Sequence, residues 1–172
     1  GGAVMQMVNH GLSTGLLFFV VGALYGRTHT RDLSEMGGLA KVTPWIAAAF
    51  LAATLSSIGL PGLNNFVGEF LVIVGAFGTD RVLGAVAVSG VVLAAIYMLW
   101  AYQKTFHGPE TERHRGILDI VPHEVAAVIP VLAVMLVFSS LYFLAPDFPA
   151  GFGAGTPRIT SFAINSPVGS LD

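Results

Sequence analysis

The chain has 172 residues, of which 54% are hydrophobic and only 10% charged. A soluble domain carries about 25% charged residues, so there is too little polar surface here to coat a water-soluble globule, and the composition points to a polytopic membrane protein. A formal net charge of −2 speaks against a nucleic-acid-binding face, which would be basic, and the lack of cysteine excludes a disulfide framework, a thiolate metal site and iron–sulfur ligation.

The sequence opens Gly1-Gly2 and enters an apolar segment at once, with no charged n-region before it, so this segment is not a signal peptide. The expectation is a C-terminal piece of a longer protein. The first apolar segment covers about 3–25, and a polar loop with Arg27, Arg31, Asp32, Glu35 and Lys41 follows to Thr43. A long apolar stretch covers 44–79, with Asp80-Arg81 as a short turn after it. A further segment covers 84–105, then a loop with Lys104, Glu110, Glu112, Arg113, Arg115 and Asp119, then a last segment at 122–145. Segments of about 20 apolar residues match the hydrocarbon thickness. Tyr25, Trp45, Trp100 and Tyr102 stand near segment ends, where aromatic rings favour the headgroup layer. Pro122 suits a helix start, and Pro130 is expected to bend the last helix. Residues 146–172, rich in Gly, Pro and Ser, read as an irregular tail. The fold class is therefore all-α, a bundle of transmembrane helices.

The stretch 44–79 contains GLPGLNNFVGEF, residues 59–70. Gly59, Pro61 and Gly62 break a helix there, so the stretch is either two short crossings or one crossing with an unwound middle near 59–65. Charge separates the two. With one crossing, loops 26–43 and 103–121 share a side that holds Arg27, Arg31, Lys41, Lys104, Arg113 and Arg115, opposite Arg81 and Arg158. With two, Arg27, Arg31, Lys41, Arg81 and Arg158 face Lys104, Arg113 and Arg115. The positive-inside rule prefers the lopsided arrangement. The expectation is four crossings, one of them discontinuous, with both basic loops cytoplasmic; five crossings is the alternative.

Glu69 reads as the only carboxylate inside an apolar segment. A charge at the bilayer centre costs about 2.5–3.5 kcal/mol on insertion scales, so such groups face a bundle interior or a wet cavity and often carry protons or ions. A static buried acid is the plainer reading. The broken helix around it, with Pro61, Gly62, Asn64 and Asn65, resembles the ion sites of discontinuous helices. Gln6, Asn9, His10, Ser13 and Thr14 follow helical spacing and form one polar stripe on the first helix. His10 can exchange protons near neutrality, or the whole stripe can simply join helices by hydrogen bonds. His107, His114 and His123 lack metal-ligand spacing, and no phosphate loop, dinucleotide fingerprint or haem motif is present. No metal or cofactor is expected in this chain.

Several stretches together resemble a known family. They are Gln6-Met7-Val8-Asn9-His10-Gly11-Leu12-Ser13, Tyr25-Gly26-Arg27-Thr28-His29-Thr30-Arg31-Asp32, Met36-Gly37-Gly38-Leu39, Leu60-Pro61-Gly62 with Asn65-Phe66-Val67-Gly68-Glu69-Phe70, and Tyr97-Met98-Leu99-Trp100 with Phe106-His107-Gly108. They are similar to the C-terminal half of the subunit M family of NADH-quinone oxidoreductase, the proton-pumping antiporter-like subunits of respiratory complex I. The related subunits L and N and the Mrp-type antiporters have a lysine near this broken helix, where Glu69 stands here. The resemblance implies a terminal proton site at Glu69 and a place for His10 on a central polar axis. The family's other relay residues, a Glu and Lys residues on earlier helices, match nothing in this chain. It also implies a bacterial plasma membrane, partner subunits L and N, and NADH and quinone bound by other subunits. The rival readings are an Mrp-type cation/proton antiporter subunit and a structural membrane subunit without a proton path.

Overall fold

The first apolar run forms one helix, α1 (Gly2–Thr28), in the computed structural model, which describes residues 1–110 and 112–144. It passes the expected end near Tyr25 and stops where His29 turns left-handed (φ 53°) and its N–H closes on the Tyr25 carbonyl. In the loop beyond, the Asp32 carboxylate accepts hydrogen bonds from the Ser34 N–H (2.8 Å) and hydroxyl (2.7 Å), which hold its carboxyl below the usual range. A four-residue helix, α2 (Leu39–Val42), interrupts what reads as a continuous loop. Then come α3 (Pro44–Ser57), α4 (Asn64–Thr79), α5 (Arg81–Phe106), a 3-10 turn at Glu112–His114 and α6 (Pro122–Leu144). α6 continues through Pro130. The expected tail at 146–172 lies outside the described residues.

Among the described residues the fold is all-helical, and α1, α5 and Pro122–Leu141 of α6 are long and apolar enough to cross a membrane. α3 has 14 residues and α4 has 16. At 1.5 Å per residue these are about 21 and 24 Å long, short of a hydrocarbon layer of about 30 Å.

The junction between them has a definite geometry. The Gly59 N–H bonds to the Ser56 carbonyl and the Leu60 N–H to the Leu55 carbonyl, both at 3.1 Å, with Gly59 at φ 68°. This is a Schellman cap, which requires a left-handed residue after the helix end. Pro61 and Gly62 (φ 98°) carry the chain onward, and Leu63 is extended (φ −112°, ψ 159°). The interruption covers 58–63 rather than 59–65, so Asn64 and Asn65 open α4 instead of filling the unwound segment.

α1 organises the packing. The Asp119 carboxylate accepts from the Trp45 N–H (2.8 Å) and Ile46 N–H (3.1 Å), capping α3 beside the end of α1, where Arg27 donates to the Asp119 carbonyl (3.0 Å). α4 runs out along the other end of α1, with Gly68 against Gln6 and Leu71 against Gly2. Leu16, Val20, Leu24, Ile46, Ala47, Phe50, Ala53 and Phe106 form the apolar core between α1, α3 and α5. The loops after α1 and α5 lie together: the Gly38 N–H donates to the His107 carbonyl (2.9 Å), and Arg113 pairs with Glu35 (3.1 Å).

Candidate functional site

The α1/α4 seam is polar where a lipid-facing helix pair would be greasy. Asn9, Ser13, Thr54, Ser56, Asn64 and Asn65 are all 0% exposed. All of these but Thr54 are joined in a definite pattern. The Asn9 amide donates to the Asn64 carbonyl oxygen (2.7 Å), and the Asn64 amide returns a longer bond (3.4 Å) to the Asn9 carbonyl. The Ser56 hydroxyl donates to Asn64 Oδ1 (2.6 Å), tying the end of α3 to the start of α4. The Asn65 amide donates to Ser13 Oγ (2.8 Å). Two successive asparagines in the first turn of α4 thus reach two successive levels of α1, whose Asn9 and Ser13 lie four residues apart on one face.

One turn further along α4 comes Glu69. It is half-buried, and the Gln6 amide donates to its Oε1 (3.1 Å). Its other oxygen lies against Gly59 of the interruption: a Cβ built on Gly59 would collide with Glu69 Oε2. Gly68 brings the Gln6 backbone close, since a Cβ there would sit 2.9 Å from Gln6 Cα. A bulkier residue at 68 would open the seam that presents Gln6 to Glu69. On the far side of the interruption, the Ser139 hydroxyl of α6 donates to the Gly62 carbonyl.

Gln6, Asn9 and Asn65 spend amide N–H groups in this seam and keep oxygens to spare. Among the described residues, Gln6 Oε1, Asn9 Oδ1, Asn65 Oδ1, Thr54 Oγ1 and Ser57 Oγ are buried with no hydrogen-bond partner. Such an atom costs about 1–3 kcal/mol if left dry, and buried polar atoms lacking protein partners are the usual seats of internal water.

The expected single polar stripe on α1 divides. Gln6, Asn9 and Ser13 face α4, whereas His10 is exposed and Thr14 is half-buried beside it, its hydroxyl 3.2 Å from His10 Nε2. Both border a groove of about 350 Å³ that also includes Ser57, Phe50, Tyr97 and Met98. At about 100° per residue, Gln6, Asn9 and Ser13 fall within about 60° of arc, whereas His10 and Thr14 lie about 60° and 100° round from Ser13, at the edge of that face. No hydrogen bond joins His10 to Glu69 among the described residues.

A second buried carboxylate corrects the reading of Glu69 as the only one within an apolar segment. Glu124, in the first turn of α6, is 8% exposed. It makes a bidentate pair with Arg27 (2.8 and 2.6 Å) and accepts from the Val121 N–H (3.0 Å). Arg27 also donates to the carbonyls of Ala23, Leu118 and Asp119. A glutamate at the third helical position reaching back to the cap N–H is a recognised helix start, so Glu124 was legible as a cap; its pairing with Arg27, 97 residues away, was not. Among the described residues no cluster of three His, Asp or Glu side chains could hold a metal ion.

Comparison with known proteins supplies the remaining context. Residues 1–96 match the family described as NADH:quinone oxidoreductase/Mrp antiporter, transmembrane. The NADH-quinone oxidoreductase subunit M of Mycobacterium tuberculosis is 40% identical over 136 residues, 79% of this chain and 25% of the relative. That of Pseudomonas aeruginosa is 42% identical over 141 residues, 82% of this chain and 27% of the relative. The chain therefore spans about a quarter of the length of these curated relatives. A chain of respiratory complex I from Thermus thermophilus, solved with bound NADH, superposes with a TM-score of 0.77 at 34% identity, over 81% of this chain and 29% of that one. A chain of the Mrp complex from Dietzia sp. shares the fold, with a TM-score of 0.65 at 22% identity over 82% of this chain and 35% of that one.

Proposed function

We propose a function for this chain from the family to which it belongs, the NADH:quinone oxidoreductase/Mrp antiporter transmembrane family: it forms the terminal part of a proton path in a membrane subunit of NADH:quinone oxidoreductase. The observation that carries this is the seat of Glu69. An acid that is costly in a bilayer is held between Gln6 of α1 and Gly59 of the helix interruption, on a helix pair that also buries Gln6 Oε1, Asn9 Oδ1 and Asn65 Oδ1 without hydrogen-bond partners among the described residues. In this reading those oxygens hold water, and protons reach and leave Glu69 through it. His10 and Thr14 belong to a separate step, on the groove side of α1.

The chemistry needed is modest. No electron transfer occurs in this chain, and NADH and quinone bind other subunits. Redox events elsewhere change the charge facing Glu69, and its proton affinity follows the field. Moving one charge against 100 mV costs about 2.3 kcal/mol, which corresponds to a change of about fifty-fold in proton affinity. The presence or loss of one neighbouring cation supplies an effect of that size.

α3 and α4 act together as one discontinuous crossing in a four-crossing arrangement. Their individual lengths, and the meeting of the two basic loops at Gly38–His107 and Arg113–Glu35, support this. The positive-inside rule then makes that face cytoplasmic in a bacterial plasma membrane. The chain works as a section of a subunit the size of its relatives, beside subunits L and N.

The test is Glu69→Gln in the assembled complex, in sealed inverted vesicles, following NADH oxidation and the proton gradient together. With assembly intact on a native gel, both are expected to fall by about a hundredfold or more, as for loss of a group acting in proton transfer. If both stay near wild type, Glu69 carries no proton. A sodium-dependent gradient formed without NADH would point instead to a stand-alone antiporter.

A further inference from the structure

Gly59 meets two separate demands. As the left-handed residue of the Schellman cap it has φ 68°, which favours glycine over any residue with a side chain. That demand concerns the backbone alone. The second concerns the space where a side chain would project. The heavy atoms nearest to a Cβ at Gly59 all belong to Glu69: Oε2 in collision, Cδ at 3.0 Å and Oε1 at 3.7 Å. One carboxylate fills the volume that the missing side chain leaves.

We propose that Gly59 is a positioning residue for Glu69: its bare Cα forms the slot that seats Oε2, while the Gln6 amide holds Oε1. This rests on the proton role proposed for Glu69. The slot exists only while the interruption keeps its present shape. That shape is fixed by the cap bonds from Gly59 to Ser56 and from Leu60 to Leu55, and by Ser139 of α6 holding the Gly62 carbonyl. A change in the 58–63 segment therefore displaces the carboxylate, and with it the hydrogen bond to Gln6. The helix break sets the position of the acid.

The test is a double-mutant cycle in the complete complex, with Gly59→Ala made in three backgrounds: Glu69, Glu69→Ala and Glu69→Asp. The first readout is the temperature at which the complex disassembles on a native gel. A helix cap and nothing more predicts the same drop for Gly59→Ala in every background. A carboxylate slot predicts that the drop in the Glu69→Ala background is less than about half of that with Glu69 present. Equal drops overturn the proposal. The second readout is the NADH-driven proton gradient. Gly59→Ala alone is expected to cut it about a hundredfold, the scale of an ångström-sized misplacement. With the shorter acid of Glu69→Asp, the same substitution is expected to leave the gradient within about twofold of Glu69→Asp alone. An undiminished penalty there overturns the proposal, and if Glu69→Asp sustains no gradient the disassembly temperatures decide. If Gly59→Ala fails to assemble, assembly restored by Glu69→Ala supports the slot, and failure of both variants overturns it. Should Glu69→Gln retain full pumping, the proton role falls, while the disassembly cycle still reads the seat.

Discussion

Asn64 does more than any other single polar residue to join the three helices at the interruption. Its Oδ1 takes the Ser56 hydroxyl, its carbonyl takes the Asn9 amide, and its own amide reaches the Asn9 carbonyl. Replacing it with alanine keeps the backbone bond but strands the Ser56 hydroxyl in a fully buried site. The expected cost is about 1–3 kcal/mol, the range for a buried polar group left without its partner. It is read as a lower disassembly temperature of the assembled complex, with the electron-transfer rate of the surviving fraction unchanged. The amide groups of Asn9, Asn64 and Asn65 thus fasten helices together. Glu69 differs from them: one of its oxygens accepts from the Gln6 amide and the other lies against the Gly59 backbone.

α6 and the residues just before it brace α1, α3 and the α3–α4 junction. At the start of α6, Glu124 grips Arg27, and Asp119 just before it caps α3; further along, Ser139 holds the Gly62 carbonyl. Arg27 and Glu124 side chains are 13% and 11% exposed, so the pair is largely out of solvent. Removing one partner of such a pair strands a charge and costs about 3–5 kcal/mol, whereas replacing both by apolar residues is often near neutral. Arg27→Ala is thus expected to impair assembly severely, and Arg27→Met with Glu124→Leu to recover most of it. Native-gel yield at two temperatures checks both. If the double variant assembles no better than Arg27→Ala, the three carbonyls that Arg27 serves matter more than the ion pair.

The arrangement of the whole bundle is tested through its side of exposure. The chain contains no cysteine, so single cysteines report cleanly, against a host complex cleared of accessible thiols. With α3 and α4 as one crossing, Ser34→Cys and Glu112→Cys react with a membrane-impermeant maleimide from the same side, and Thr79→Cys from the opposite one. With two crossings, positions 34 and 112 react from opposite sides. All three positions are exposed, so reactivity is governed by sidedness. The contacts between Gly38 and His107 and between Arg113 and Glu35 lead to the first outcome.

Composition alone determined the membrane class, because a chain with so few charges has no other way to satisfy its surface. Apolar run lengths gave the helices at 3–25, 84–105 and 122–145 to within a few residues of α1, α5 and α6, since hydrocarbon thickness fixes how long a span must be. Local chemistry also marked the turn at 58–63, where Gly59 and Gly62 take positive φ. Glu69 stood out in the sequence as a carboxylate inside an apolar stretch. Its seat did not, because Gly59 and Glu69 meet only when the chain folds back on itself, and nothing in a glycine's letter says what fills its empty side. The division of the α1 stripe also had to wait for the fold. Helical spacing groups Gln6, Asn9, His10, Ser13 and Thr14, but which neighbour covers each one depends on where α3, α4 and α5 lie. The Arg27–Glu124 pair and the Asp119 cap were hidden for the same reason: charges far apart in sequence pair only when tertiary packing removes both from water.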